Sequence, residues 1–170
     1  REQVAALEEA VERTLRRGDA VDMGQLSERP DDDAPAFAAG VDHWRDDETF
    51  ASFALASPLG PIVARLLRSE RVWLWEDSVL IKEPGSPFAT RFHTDAGYFH
   101  LSGDQIATTW VPLDPSSPAN GMVQWLRGSH RDTVEYRPNL FVTDEPIAGT
   151  EGDVVPDVLG TPELAERLIS

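Results

Sequence analysis

The chain has 170 residues, 41% of them hydrophobic, which is the length of one globular domain with enough apolar material for a core. Thirty acidic residues against fifteen basic ones give a net charge of −15, a field that repels nucleic acid and anionic membrane surfaces, so neither is expected as a partner. The absence of cysteine excludes disulfides and thiolate metal sites, and without a membrane-length apolar run or a signal-like opening a cytoplasmic location is expected.

Residues 1–17 set Val4, Leu7, Val11 and Leu15 at helical spacing with charge on the other face, and Gly18 follows as a stop, which predicts a scaffold helix. From Ser27 to Gly40 the run SERPDDDAPAFAAG mixes acid, proline and small residues without periodicity and predicts a loop. Its Asp31-Asp32-Asp33 triplet reads as solvated carboxylates, not as a metal site. Phe50, Phe53 and Leu55 give an apolar face to a helix over 47–56, and Ile62, Val63, Leu66 and Leu67 do so over 61–67, with Pro61 suited to a first turn. After Arg71 the pattern changes to short apolar and β-branched runs between Pro and Gly clusters, and RVWLWED, SVLIK, QIATTWVPL and GMVQWL predict strands. Trp73, Trp75 and Trp125 on these runs are expected in the core, and Asn120-Gly121 is a turn pair. Helices first and strands afterwards predict an α+β chain: one domain over 1–170, a mainly helical scaffold over 1–70 with its loop near 27–40, and a β-rich portion over 71–170.

His93-Thr94-Asp95 stands in the run RFHTDAGYFH of a chain with four histidines. On an extended strand the side chains at i and i+2 share a face, so an imidazole and a carboxylate can meet one cation there, a ligand mixture that suits non-haem Fe(II). The same residues also fit a histidine and an aspartate hydrogen-bonded in a loop. His100 lies an odd number of residues further on and would face away on a continued strand, and His43 beside Trp44 has no ligand-like neighbour. Lys82 is the only lysine, either chosen for its compact ammonium group or simply left in a turn.

From Ser78 to Arg131 several spaced motifs follow in one order. They are the K-x-P-G turn at 82–85, H-x-D with aromatics after it, T-x-W at 108–110, a polar turn ending Asn120-Gly121, and Gly-Ser-His at 128–130. This series resembles the phytanoyl-CoA dioxygenase family, with a departure at Arg127, where a proline commonly precedes Gly-Ser-His. The resemblance implies a double-stranded β-helix (jelly roll, cupin-like) with the N-terminal helices packed on the sheet. It implies an Fe(II)- and 2-oxoglutarate-dependent dioxygenase that uses O2 to hydroxylate or otherwise oxidise a C–H bond of a small molecule, with succinate and CO2 as co-products. His93 and Asp95 would then be metal ligands. Ser78 and Trp110 match places lining the family's cosubstrate pocket, although Trp110 fits core packing as well. Strand alternation adds Lys82 and Thr108 to that wall, and Tyr98 and Phe99 would border the substrate. His130 takes a loop role by this resemblance. Asp95 sets the chain apart from related halogenases, in which a small residue replaces the carboxylate. The family's second iron histidine and its 2-oxoglutarate arginine find no match through Ser170 and are expected beyond it, so that the jelly roll would be incomplete at its C-terminus. A jelly-roll binding module without turnover, and a cupin-like metal enzyme that does not use 2-oxoglutarate, remain as alternative readings.

Overall fold

A computed structural model of the chain describes residues 2–26, 35–101 and 103–170. The first helix, α1, spans Glu2–Arg17 and buries Leu7, Ala10 and Thr14, with Val11 half-buried beside them. This inward stripe is rotated from the one apolar spacing selects. Leu15 is left largely exposed, while Thr14 goes inside because its hydroxyl donates to the Ala10 carbonyl at 3.2 Å. Gly18, at φ +74°, closes α1, and the N–H groups of Gly18 and Asp19 bond the carbonyls of Leu15 and Thr14 at 3.1 and 3.2 Å. Glycine takes that left-handed stop without Cβ strain.

Two further helices follow, α2 over Glu48–Ala56 and α3 over Leu59–Leu66. Asp47 caps α2 by accepting from the Thr49 N–H at 2.9 Å, and the Arg13 guanidinium of α1 grips the same carboxylate at 2.9–3.0 Å. One side chain thus starts α2 and ties it to α1. Phe50 is buried, Phe53 half-buried and Leu55 exposed. Helix α3 begins at Leu59, ahead of the expected Pro61, where the Ser57 hydroxyl accepts from the Leu59 N–H at 3.3 Å.

Strands β1 (Val21–Asp22), β2 (Phe37–Val41) and β3 (Ser78–Lys82) form an antiparallel sheet with β2 in the centre. The loop expected over 27–40 is therefore corrected from Phe37 onward, while 27–34, including Asp31-Asp32-Asp33, lies outside the described residues. Alanine and glycine have little strand propensity, so tertiary demand decides here. Phe37 is only 2% exposed, and a Cβ on Gly40 would stand 2.8 Å from the Asp19 carbonyl oxygen and 2.9 Å from Cε1 of His43. The register pairs Phe37 with Lys82, Ala39 with Leu80 and Val41 with Ser78, so these residues share one sheet face, and Val79 and Ile81 take the other. Val79 joins Leu7, Ala10 and Phe50 in the core under the helices, with Trp44, Phe53 and Ile81 packed around them. The opposite face carries a second cluster of Phe37, Phe88 and Val142, flanked by Met23 and Phe141. On that second cluster rests the loop that bears His93.

A second sheet pairs β4 (Trp125–Leu126) with β5 (Leu168–Ile169), continued by an Arg127 N–H to Arg167 carbonyl bond of 2.9 Å. Helices with two small antiparallel sheets make this an α+β chain, and no closed jelly roll forms among the described residues. The runs 71–77 and 105–113 are not strands, and GMVQWL contributes only the two residues of β4. A strand-prone run becomes a strand only when another edge pairs with it, and among the described residues these runs find none. In consequence Trp73 is 85%, Trp75 55% and Trp125 44% exposed, which corrects the expectation that all three are core. No single helix among the described residues is long and apolar enough to cross a membrane.

Candidate metal centre

His93-Thr94-Asp95 does not lie on a strand. The chain runs irregularly to Thr94, and Asp95 (φ −60°, ψ −35°) leads into a one-turn helix, α4, over Ala96–Phe99. The two side chains meet through this turn, not through strand alternation. His100 ends α4 at φ +51° and is exposed, so the parity that set it aside has no strand to act on.

The Asp95 carboxylate makes no capping bond to α4 and faces the imidazole, with Oδ1 3.2 Å from Nε2 of His93. The other ring nitrogen, Nδ1, donates to the Arg91 carbonyl at 2.7 Å, which fixes the ring and turns Nε2 toward Asp95. The 3.2 Å gap stands at the long end of the about 2.7–3.2 Å range of an N–H···O bond, which the pair makes when the imidazole is protonated. It is close to the about 3.0 Å expected of two donors each about 2.1 Å from one cation and at right angles. An imidazole nitrogen and a carboxylate oxygen set side by side in this way fit a borderline divalent metal such as Fe(II).

Electrostatics describe the same pair. Burial lowers the pKa of His93, but the bond to Asp95, the Arg91 carbonyl and the Asp95 charge outweigh it, and the net shift is upward from 6.5. Asp95 is held below its ordinary 3.8, first by the His93 imidazole beside it and also by the nearby Thr108 hydroxyl, against an opposing burial effect. Among the described residues no third His, Cys, Asp or Glu joins the pair.

The His93 ring lies in an aromatic corner, edge-on to Tyr98 at 5.3 Å and tilted against Phe141 at 5.2 Å. Residues 136–142 hold the motif in place. The Arg91 N–H bonds the Phe141 carbonyl at 2.8 Å, and Asn139 Nδ2 donates to the Phe92 carbonyl at 2.9 Å. Gly97 packs so tightly that a Cβ would sit 3.1 Å from the Tyr136 carbonyl oxygen. The Tyr98 hydroxyl lies 2.7 Å from Asn139 Oδ1 and 2.9 Å from the Asn139 carbonyl, and burial pushes its pKa up to about 12. Phe141 holds φ +68°, a strain of order 1–3 kcal/mol for a bulky side chain. Asn139 and Phe141 escape a sequence reading, since the only signal is an amide within the apolar run Pro138–Val142.

A family profile described as phytanoyl-CoA dioxygenase (PhyH) matches residues 2–156. The chain belongs to the phytanoyl-CoA dioxygenase family. No curated protein and no solved structure matches it. Enzymes of this family are oxygenases that generally depend on Fe(II) and 2-oxoglutarate and act on small molecules.

Of the other residues singled out in this family member, Lys82 and Ser78 lie on the sheet face that carries Phe37. The Lys82 ammonium stands 5.0 Å over the Phe37 ring, and burial of that end lowers its pKa although the residue as a whole is exposed. Phe37 in turn meets Phe141 at 6.1 Å, so a row of rings leads from Lys82 to His93. Ser78 directs its hydroxyl to Glu76 at 3.4 Å, and Trp110 is 40% exposed on the irregular stretch after Thr108. Phe99 is half-buried in α4.

Proposed function

We propose that this chain is an Fe(II)- and 2-oxoglutarate-dependent oxygenase that oxidises a C–H bond of a small molecule, with His93 Nε2 and an Asp95 carboxylate oxygen as metal ligands. The observation that carries the reading is the His93–Asp95 pair, held side by side with the imidazole's other nitrogen already engaged, in a member of this oxygenase family. When bound, Fe(II) with 2-oxoglutarate and O2 supplies the oxidising power, and succinate and CO2 leave as co-products. The residues supply position and surroundings. Arg91 sets the tautomer of His93 through its carbonyl, and the Thr108 hydroxyl near Asp95 favours its charged, ligating form. Tyr98 and Phe141 keep water from one side of the imidazole. In this reading Ser78, Lys82, Thr108 and Trp110 line the cosubstrate side, and the Lys82 ammonium, partly stripped of water, is the cation for a dicarboxylate. Tyr98 and Phe99 border the substrate through their rings, the Tyr98 hydroxyl being committed to Asn139.

A binding module of the same fold is the second reading, favoured by the count of two candidate ligands among the described residues. One experiment separates them. Anaerobic Fe(II) titration of the parent, His93→Ala and Asp95→Ala is followed by an assay of succinate formed from 2-oxoglutarate and O2, with circular dichroism as the check on folding. Fe(II) binding that is lost in both variants, together with succinate from the parent alone, is expected. Parental iron affinity in either variant removes the ligand assignment, and iron binding without succinate carries the binding-module reading.

A further inference from the structure

We propose that Asn139 is a positioning residue for His93, an inference that rests on the metal reading above and concerns what holds the ligand in place. Asn139 is 3% exposed and lies 46 positions from His93 in the sequence, yet its amide ties together the three residues that frame the imidazole. Nδ2 donates to the carbonyl of Phe92, the residue before His93, at 2.9 Å. Oδ1 accepts the Tyr98 hydroxyl at 2.7 Å and the Phe141 N–H at 3.0 Å. The rings of Tyr98 and Phe141 meet each other at 89° and 6.1 Å, and His93 fills the corner between them.

The Phe141 contact has a particular consequence. That residue sits at φ +68°, a conformation a phenylalanine adopts only when its surroundings impose it, and the bond from its N–H to Asn139 is one such constraint. The Asn139 amide spends its bonds on Phe92, Tyr98 and Phe141 and not on the imidazole itself; it decides where Nε2 points by fixing the two rings and the backbone on either side. An amide suits the task because it both donates and accepts. An aliphatic side chain of that size would leave the Phe92 carbonyl and the Phe141 N–H without these bonds in a buried place and the Tyr98 hydroxyl with the residue-139 carbonyl alone, and a carboxylate could not donate to Phe92.

The test uses Fe(II) alone as the probe, together with the proton resonance of the His93 Nδ1–H in the metal-free chain. In Asn139→Ala, iron affinity is expected to fall about 10- to 100-fold, the range seen when outer partners of a ligating histidine are lost, and the resonance to shift or broaden. Tyr98→Phe keeps the ring and removes one hydroxyl, so about a fivefold loss with a smaller shift is expected. Thr150→Ala removes a hydroxyl bond to the Ile147 carbonyl (2.7 Å) in the same C-terminal stretch, and is expected to leave both readouts at the parental value. A folded Asn139→Ala with parental iron affinity and an unmoved resonance overturns the proposal; should that variant fail to fold, Tyr98→Phe with both readouts unmoved does the same. Failure of the metal reading looks different, since His93→Ala would then bind iron as the parent does while the resonance of the metal-free chain still decides the role of Asn139.

Discussion

At His93 and Asp95 burial and charge oppose each other, and charge prevails at both. His93 titrates above 6.5, so its contribution to stability is complete below 6.5 and fades as pH rises through the raised folded value. Asp95 titrates below 3.8, so its contribution is complete above 3.8 and fades as pH falls through the lowered folded value. The metal-free pair thus supports the fold most fully between those two ordinary values. Iron asks for the opposite state of the histidine, because Nε2 must lose its proton to ligate. Apparent Fe(II) affinity is therefore expected to rise about tenfold per pH unit below the folded pKa of His93 and to level off above it. Titrations across pH check this, and an affinity that stays flat below pH 6.5 would take His93 out of the ligand set. Thr108→Val tests the neighbouring hydroxyl. It removes a group that favours the charged form of Asp95, so iron affinity is expected to drop by roughly tenfold while circular dichroism is unchanged.

Two positions at the level of elements join helix to helix and helix to sheet. Asp47 caps α2 and pairs with Arg13 of α1, its carboxylate side chain only 9% exposed. Burial opposes its charge, but the Arg13 bond and the Thr49 and Phe50 N–H groups hold its pKa below 3.8, so its contribution is present above that value and lost as pH falls through the folded one. Asp47→Ala removes a cap and a charge-assisted bond together and is expected to cost about 2–3 kcal/mol in urea unfolding. Arg13→Ala, which removes a side chain that is itself a third exposed, is expected to cost about 1 kcal/mol or less. Gly40 is the second junction, the place where β2 passes against His43 and the Asp19 carbonyl. Gly40→Ala forces a methyl group into that contact, and a loss of about 1–3 kcal/mol is expected from the same measurement.

Charge and exposed aromatic surface govern the molecule as a whole. A net charge of −15 on a chain of this size repels itself in the compact state, and salt screens that repulsion over about 10 Å at 0.1 M. Stability is expected to rise with ionic strength over the first few tenths molar, and a fall in the unfolding midpoint with added salt would contradict it. Trp73 is the most exposed of the large apolar side chains. Replacing it with Phe should therefore remove the most readily acrylamide-quenched part of the tryptophan emission, while the emission of half-buried Trp44 persists.

What the sequence by itself determined are the features encoded within a few neighbours: the stop of α1 at Gly18, the start of α2 after Asp47, the Ser78–Lys82 strand, and the family, through an ordered series of motifs that includes His93-Thr94-Asp95. Each depends on backbone conformation or on donors two to four residues away, and such preferences are local. Tertiary structure alone decided the rest. Phe37–Val41 became a central strand against its own composition because two strand edges and a buried Phe37 required it. The apolar runs at 71–77 and 105–113 stayed irregular for want of a pairing edge. Asn139 came to the His93-Thr94-Asp95 segment across 47 residues of chain to reach the Phe92 carbonyl, a contact with no local pattern to announce it. A ligand's identity is written in its own residue, whereas its orientation is set by whichever distant segment packs around it.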